Sequence, residues 1–404
     1  MTDIAAPVSA KDRYESLDVL RGIAVLGILM VNVQAFTMAP FAYMNPTAHM
    51  DITGANLDAW LMTHVFFEMK FITLFSALFG AGIILMVGEE PGASRKVHFS
   101  RMRWLLLIGL VHMFALWFGD ILVTYAIAGM IVIYFRQMSV GKLLFWGGFW
   151  ITLSGVLFIA LMWSLSFVPE NMSAAEVGMG YTEDQLTEIV AAYQNGYLSS
   201  RAPNAINGAM NLLSLVFFGG RIIGVMFLGM ALYKSGFLLA RWGFGSYLIT
   251  LAIGLGAGLT LSGYGGLQAI ESGFDFRQMW VHVATNYVGS LLVALGYASV
   301  VMILCKIAAL KLIRAPFAAA GRMAFTNYLT QTITMVFITV GGVGLGMFGE
   351  LERVQQVQIV LAIWVVQLII SPIWLSVFRF GPFEWLWRSL TYGKLQPFMK
   401  GSAS

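Results

Sequence analysis

Two polar residues in one apolar segment have the types and spacing of a catalytic base and its partner. His112 lies within the run 105–117, which is rich in Leu, Val, Met and Phe, and Asp120 follows eight residues later, ~12 Å further along a helix. An imidazole can take a proton from a hydroxyl or an amine, and a carboxylate can orient that imidazole. A hydrogen-bonded core histidine explains the same residues, and the sequence leaves both interpretations open.

A polar stripe marks the first hydrophobic segment. On a helix, Asp18, Arg21 and Asn32 fall within about 60° of each other, with Arg21 and Asn32 ~16 Å apart along the axis. One interpretation is chemical, with Asn32 donating to a developing oxyanion. The alternative is an ion pair at one end of the helix and an interhelical hydrogen bond at the other.

Four ionisable groups fall inside other apolar segments, where each charge costs about 2.5–3.5 kcal/mol on insertion scales. His64 and Glu68 lie at positions i and i+4 and share a helix face, which suits either a base with its carboxylate or a solvated pair. Lys70 points elsewhere and requires a carboxylate on another helix or an anionic ligand. Arg221, flanked by glycines, could bind a phosphate or carboxylate or could neutralise Glu68.

The segment that begins near residue 322 is unusually polar in its first half. Asn327 and Gln331 lie at i and i+4, with Tyr328 and several threonines beside them and Arg322 at the start. This hydrogen-bonding capacity predicts a water-filled cavity, with hydrogen bonding between helices as the alternative.

The composition indicates that these residues lie on membrane-spanning helices. The chain of 404 residues is 59% hydrophobic and only 11% charged, where soluble proteins carry about 25% charged residues. Runs of about 20 apolar residues therefore predict an all-α, polytopic transmembrane helical bundle surrounded by membrane lipid. The ten predicted spans are 17–37, 60–87, 103–118, 121–136, 143–167, 211–233, 245–264, 281–308, 322–345 and 357–378. The glycines at 254–258 predict close helix packing rather than a nucleotide site.

Other classes of protein are excluded or disfavoured. Cys305 is the only cysteine, which excludes an intrachain disulfide, and the net charge of +4 is too small for nucleic-acid binding. The five histidines lack the spacing of a metal site, so no metal is predicted. The oligomeric state stays open, a homo-oligomer included.

Lysine and arginine predict the topology, because these residues are retained on the cytoplasmic side. With the N-terminus inside, 18 of the 24 basic residues are cytoplasmic, and both termini are predicted to be inside. The exceptions are three residues within spans (Arg21, Lys70 and Arg221) and three on the outer side (Arg201, Arg277 and Arg353). Residues 1–15 carry no cleavable signal peptide, so the first span is predicted to be a permanent anchor. We expect one domain over 1–404, with an outer loop at 169–210, in which Thr182 begins a short helix, and a cytoplasmic tail at 379–404.

Four segments together resemble a known family. They are Leu17-Asp-Val-Leu-Arg-Gly-Ile-Ala with Asn32, Gly119-Asp-Ile-Leu, Gly321-Arg-Met-Ala-Phe-Thr-Asn-Tyr-Leu-Thr-Gln-Thr and Gly381-Pro-Phe-Glu-Trp-Leu-Trp-Arg. In this order they resemble the bacterial YeiB family of inner-membrane proteins, whose C-terminal half is a domain of unknown function. The resemblance spans almost the whole chain and implies a multi-pass protein of the bacterial inner membrane.

A more distant resemblance links the first helix to membrane acyltransferases. The Arg-Gly-Ile-Ala start, with Asn32 eleven residues after Arg21, is similar to heparan-glucosaminide N-acetyltransferase and to the enzymes that modify surface polysaccharides. The resemblance implies transfer of an acyl group from cytoplasmic acyl-CoA to an acceptor on the far side. The polysaccharide enzymes carry a histidine where this chain has Asn32, so His112, His49 or His64 would have to be the base.

The leading hypothesis is therefore a transmembrane acyltransferase, and two other hypotheses remain. In the leading hypothesis the catalytic residues are His112, Asp120 and Asn32, and the anionic donor is held by Arg21, Lys70 and Arg322. Asp18, Arg221, Asn327, Tyr328 and Gln331 are the predicted substrate-binding residues. The main alternative is a secondary transporter or exporter of a small or lipid-like molecule. A non-catalytic scaffold or a sensor, with the outer loop as its partner surface, is also considered.

Overall fold

The computed structural model describes residues 14–90 and 94–401, so most of the predicted N-terminal head lies outside the described residues. Over these ranges the chain is all-α and has no strand, which confirms the predicted fold class. Fourteen α-helices follow one another: α1 (Glu15–Thr37), α2 (Ala55–Phe66), α3 (Lys70–Val87), α4 (Lys96–Val111), α5 (Leu122–Val132), α6 (Val140–Ser164), α7 (Glu183–Gln194), α8 (Arg201–Lys234), α9 (Phe244–Glu271), α10 (Met279–Lys306), α11 (Lys311–Arg322), α12 (Ala324–Thr339), α13 (Arg353–Val377) and α14 (Pro382–Tyr392).

Each predicted span coincides with a helical segment. Within the described ranges, eight segments are long and apolar enough to cross a membrane. The other two predicted spans coincide with α5 and with α12, which are shorter. The molecule is therefore a multi-pass membrane bundle, and the count of ten spans and the side of each terminus stay predictions.

Several spans differ from the prediction in their limits, including the following three. The helix predicted at 211–233 begins ten residues earlier, at Arg201, because α8 continues through the end of the outer loop. The helix predicted at 322–345 ends at Thr339, before a glycine-rich turn in which Gly342 has a φ of 74°. The span predicted at 60–87 is interrupted after Phe66, where Met69 adopts the left-handed region with a φ of 63°.

The short helix of the outer loop is confirmed. α7 begins after Thr182, whose hydroxyl accepts a hydrogen bond from the amide of Gln185 at 3.3 Å. The Gln185 side chain in turn accepts from the amide of Thr182 at 3.0 Å. This reciprocal pair is a capping box, which satisfies two amide groups that a helix start leaves unbonded.

Glycines let the transmembrane helices approach each other closely. A Cβ atom on Gly254 of α9 would lie 2.7 Å from a carbonyl oxygen of α10, and one on Gly258 would lie 2.7 Å from a backbone nitrogen there. The prediction that these glycines serve helix packing is therefore confirmed. Large apolar side chains of α6 and α13 remain exposed, as expected of surfaces that face lipid.

Candidate functional site

A cavity of about 530 Å³ lies among α1, α3, α4, α5, α12 and α14. It extends along α1 from Leu17 to Ile28, which is ~16 Å of helix. Its volume falls in the range of ~300–1,000 Å³ that is typical of small-molecule sites. Most of the wall is apolar, but six charged side chains line it: Asp18, Arg21, Arg101, Arg322, Glu384 and Arg388. All six come from helix ends that the sequence predicts to be cytoplasmic.

Two glycines bring α1 and α11 into backbone contact beside this cavity. A Cβ atom on Gly22 would overlap a carbonyl oxygen of α11, and one on Gly321 would overlap the carbonyl oxygen of Asp18. Each glycine adjoins an arginine in the sequence, so the contact places Arg21 and Arg322 on neighbouring helices at the cavity wall. Arg21 also donates to the Asp18 carboxylate at 2.9 Å, as predicted from their spacing.

Glu384 connects α14 to the start of α12. Its carboxylate accepts hydrogen bonds from the amides of Phe325 at 2.7 Å and Thr326 at 3.0 Å, and from the Thr326 hydroxyl. A carboxylate in this position satisfies amide groups at the helix N-terminus and complements the helix dipole. Burial nevertheless raises the pKa of the Glu384 carboxyl above its ordinary value. Gly381 leaves the space that this contact needs, because a Cβ there would overlap the carboxylate.

Aromatic faces support two of the arginines in the wall. The Arg101 guanidinium lies 4.1 Å from the ring centroid of Trp387, whose indole N–H donates to the Arg101 carbonyl at 3.0 Å. The Arg388 guanidinium lies 4.5 Å from the ring centroid of Phe380. Guanidinium groups that lie over aromatic rings suit recognition of phosphate or carboxylate. Their N–H groups lie in the guanidinium plane and can donate to oxygen atoms beside the ring.

His112 and Asp120 form a buried imidazole–carboxylate contact. The Nδ1 atom of His112 lies 2.7 Å from Oδ2 of Asp120, and its Nε2 atom lies 2.9 Å from Oγ1 of Thr332 on α12. The two side chains are 1% and 0% exposed. The other carboxylate oxygen of Asp120 accepts the amide of Val123 at 2.8 Å and so caps α5.

A π-helical turn and two asparagines create this geometry. α4 is followed by the π-helical turn His112–Leu116, after which the chain extends and reverses towards α5. Asn204 of α8 accepts the amide of Phe118 at 2.8 Å, and Asn211 donates to the carbonyl oxygen of Asp120 at 3.1 Å. These bonds hold the reversed segment in place, so that Asp120 turns back towards His112.

The pair lies directly behind the inner wall of the cavity. Tyr328, Ile121 and Leu122 all line the cavity. The ring of Tyr328 lies 5.3 Å from the ring of His112, measured between centroids. The cavity therefore combines arginines at its predicted cytoplasmic end with an imidazole–carboxylate pair beyond its opposite wall.

Hydrogen-bond partners separate the three histidines that the sequence offers as a base. Nδ1 of His49 accepts the amide of Ala39 at 2.9 Å, so neutral His49 carries its proton on Nε2 and has no nitrogen left to accept another. Burial, with Arg353 nearby, lowers the pKa of His49 to about 4. His64 and His112 instead turn Nδ1 towards a carboxylate, which leaves Nε2 as the proton acceptor.

Two predicted substrate-binding residues connect helices instead of lining the cavity. Gln331 donates to the Gln367 side chain at 2.9 Å, and Asn327 donates to the Ser371 hydroxyl at 3.2 Å. Both partners belong to α13, and all four side chains are buried. The polar half of α12 therefore divides into this interhelical network and the face that carries Tyr328.

Three other predicted site residues also lie outside the cavity. Asn32 is half-buried towards the C-terminal end of α1. Lys70 and Arg221 belong to a separate polar cluster at the interruption between α2 and α3, together with His64 and Glu68. Lys70 is thus placed away from the arginines of the cavity.

Four residues of the site were missed from the sequence: Thr332, Arg101, Glu384 and Arg388. Thr332 was visible as a threonine one residue beyond Gln331, but only the helix orientation shows that it faces His112. Arg101 lies in a basic run that the predicted topology alone accounts for, and Glu384 and Arg388 lie in a segment that the sequence predicts to be a cytoplasmic tail. The only indication of Glu384 in the sequence was the family motif Gly381-Pro-Phe-Glu-Trp-Leu-Trp-Arg, which contains it.

Comparisons with known proteins identify the family of the chain. A family model described as a protein of unknown function (DUF418) matches residues 232–394. The chain is 32% identical over 394 residues to "Uncharacterized protein YeiB" of Escherichia coli (strain K12), covering 94% of this chain and 96% of that protein. It is 31% identical over 430 residues to "Uncharacterized protein YxaH" of Bacillus subtilis (strain 168), covering 98% of each.

Proposed function

The chain belongs to the YeiB-like family of DUF418 membrane proteins, and from that premise we propose that it is a membrane acyltransferase. It takes an acyl group from a cytoplasmic CoA-type donor and transfers it to a hydroxyl or amine acceptor at the outer face of the bacterial cytoplasmic membrane. The observation that carries this proposal is the His112–Asp120 pair behind the inner wall of an amphipathic cavity lined by arginines.

The cavity fits the donor in charge and in shape. Arg21, Arg101, Arg322 and Arg388 supply the guanidinium groups that bind phosphates. The apolar wall beyond them extends along α1 towards Ile28 and suits the uncharged arm and acyl chain of the donor. This arrangement directs the thioester towards Tyr328 and away from the cytoplasm.

The pair supplies the proton transfer. Asp120 holds the imidazole of His112 through Nδ1, so that Nε2 takes the proton of the acceptor as it attacks the thioester carbonyl carbon. In the resting structure the Thr332 hydroxyl occupies Nε2, and the acceptor replaces it. The C–S bond then breaks, and the proton on His112 passes to the departing thiolate. Tyr328, between the cavity and the imidazole, is the polar group of the wall beside the carbonyl oxygen.

The test uses the purified chain in lipid nanodiscs. Binding of CoA is measured by calorimetry, and transfer of radiolabelled acetyl and longer acyl groups from acyl-CoA is measured in membranes that supply acceptors. We expect His112→Gln to abolish transfer but retain CoA binding, and Arg101→Met with Arg322→Met to weaken CoA binding at least tenfold. His49→Gln, whose histidine cannot act as the base, is the matched control and should retain transfer. Absence of both CoA binding and transfer in the unmodified chain contradicts the proposal.

An exporter of an anionic amphiphile is the second candidate. The interruption of the helix between Phe66 and Lys70 favours it, because transporters build midplane sites from discontinuous helices. In this case sealed vesicles would accumulate the unmodified amphiphile without any transfer of acyl groups. His112→Gln would then change neither CoA binding nor transport. The same preparations therefore separate the two functions.

A further inference from the structure

The interruption between α2 and α3 is stabilised by a buried lysine. Met69 has a φ of 63°, so the helical chain cannot continue through it, and the carbonyl groups at the end of α2 lose their helical partners. Lys70 donates to the carbonyl oxygen of His64 at 2.6 Å and also to the side-chain oxygen of Asn286 on α10. Irregular backbone at membrane depth persists only where its polar groups are satisfied in this way.

A second buried cation lies close to this lysine. Arg221 of α8 donates to the carbonyl oxygen of Tyr287 at 2.8 Å, to the hydroxyl of Ser290 at 2.8 Å and to the hydroxyl of Thr73 at 3.2 Å. All three acceptors are neutral, and Arg221 is 3% exposed. The positive charges of Lys70 and Arg221 are therefore stabilised more by hydrogen bonds to neutral acceptors than by carboxylates.

Glu68 and His64 form the titratable part of the cluster. Nδ1 of His64 lies 2.6 Å from the Glu68 carboxylate, while its Nε2 atom is buried and has no hydrogen-bond partner. The His64 ring faces the ring of His282 on α10, with 5.8 Å between centroids. The His64 side chain is 2% exposed, but that of Glu68 is 24% exposed, so Glu68 gives the buried imidazole a route to the surface.

We propose that His64, Glu68 and His282 form a proton-binding site in the outer half of the membrane-spanning region. One proton binds to the free Nε2 atom of neutral His64, the imidazolium pairs with Glu68, and His282 is the next acceptor along the bundle. No other bond forms or breaks. This site is independent of the cavity and does not rest on the proposed acyl transfer.

The charged and titratable groups around His64 determine whether protonation of its imidazole is favoured or opposed. Glu68 favours the imidazolium, whereas Lys70, with Arg221 behind it, opposes it, and the His282 ring lies 5.8 Å from the His64 ring. Tyr43 lies beside Glu68, and its phenol is neutral at ordinary pH. Proton binding adds a positive charge next to Lys70 and so weakens the hydrogen bond that stabilises the helix interruption.

Trp60 provides a direct reporter of the proton. Its ring stacks on His64 with 5.2 Å between centroids and 12° between planes, and a protonated imidazole quenches the fluorescence of a stacked indole. The emission of Trp60 is obtained in nanodiscs as the difference between the unmodified chain and Trp60→Phe over a range of pH. We expect this emission to fall as the pH is lowered, with one midpoint.

The variants distinguish the proposed site from a general effect of pH. Glu68→Gln keeps the size of the side chain but removes the charge that favours the imidazolium, so it should move the midpoint about one unit or more towards lower pH. His64→Gln should abolish the transition. His98→Gln, which changes a buried histidine on α4, is the matched control and should leave it unchanged. A transition that persists in His64→Gln, or a midpoint that Glu68→Gln does not move, overturns the proposal, provided that the variants elute as the parent does.

Discussion

The described part of the chain contains two histidine–carboxylate pairs, which have similar Nδ1–oxygen distances in different surroundings. In the His112–Asp120 pair the imidazole contacts the carboxylate through Nδ1 and the Thr332 hydroxyl through Nε2, both side chains are buried, and α8 holds the reversed segment in place. In the His64–Glu68 pair the second nitrogen has no partner, the carboxylate is partly exposed, and the helix beside it is interrupted.

This difference shows that distance within a pair does not decide its role. Both Nδ1–carboxylate distances are short, at 2.7 Å and 2.6 Å. What differs is the group that each Nε2 atom can reach: a hydroxyl and an adjacent ligand-sized cavity for His112, and a second imidazole for His64. The first surroundings suit proton transfer with a bound substrate, and the second suit exchange of a proton.

The largest expected effect separates the two pairs by their chemistry. Asp120→Asn replaces the carboxylate that orients His112 and should lower acyl transfer by about 10²–10⁴-fold, the usual contribution of an oriented general base. The equivalent change in the other pair, Glu68→Gln, should alter transfer less than tenfold. Initial rates of label transfer from acyl-CoA measure both. Equal losses in the two variants would mean that the pairs act in one reaction.

The backbone contact beside the cavity should be the next most sensitive feature. Gly22→Ala introduces a methyl group against a carbonyl oxygen of α11, so α1 and α11 must separate, at a cost of about 1–3 kcal/mol in the free energy of unfolding. Gly82→Ala is the matched control, because a Cβ on Gly82 of α3 meets nothing within 4 Å. Thermal unfolding in detergent should show a lower Tm for Gly22→Ala alone. A similar loss in both variants would mean that the contact with α11 is not its cause, because helix propensity alone favours Ala over Gly and would raise the Tm.

The Thr332 hydroxyl, which contacts Nε2 of His112, offers a finer test. Thr332→Val leaves the buried Nε2 atom of His112 without a donor, at an expected cost of about 1–3 kcal/mol. Thr334→Val, two residues along the same helix, changes an exposed side chain and should be nearly neutral. Chemical or thermal unfolding compares the two. An unchanged stability in Thr332→Val would show that water or another group replaces the hydroxyl.

The sequence predicted most of the fold because hydrophobic runs and basic residues are local signals. It also predicted the Asp18–Arg21 pair and the start of α7, which depend on residues three or four apart. The interruption at Met69 could not be predicted, because it depends on Lys70 reaching a carbonyl of the preceding helix. A continuous apolar pattern conceals such a contact.

The site was only partly predictable for the same reason. The sequence assigned Arg21 and Arg322 to the donor and Tyr328 to substrate binding, and all three line the cavity. It could not decide which face of α12 is free, so Gln331 was expected in a cavity and instead binds α13. Side-chain orientation around a helix depends on the packing of neighbouring helices, which composition and spacing do not report.

The smallest effect concerns the third histidine, which belongs to neither pair. His49 accepts the amide of Ala39 only when neutral, and its pKa is lowered to about 4 from an ordinary value near 6.5. Because the unfolded chain binds the proton more readily, the stabilisation that His49 provides is complete above about pH 6.5 and is lost as the pH falls through about 4. The segment between α1 and α2 should therefore become less protected at low pH. Hydrogen exchange measured by mass spectrometry, corrected for the intrinsic pH dependence, should show this loss near residues 38–50 and not in α7. His49→Gln should remove the pH dependence, since a neutral amide oxygen accepts the same bond at every pH; if the dependence remains, another group in this outer segment titrates.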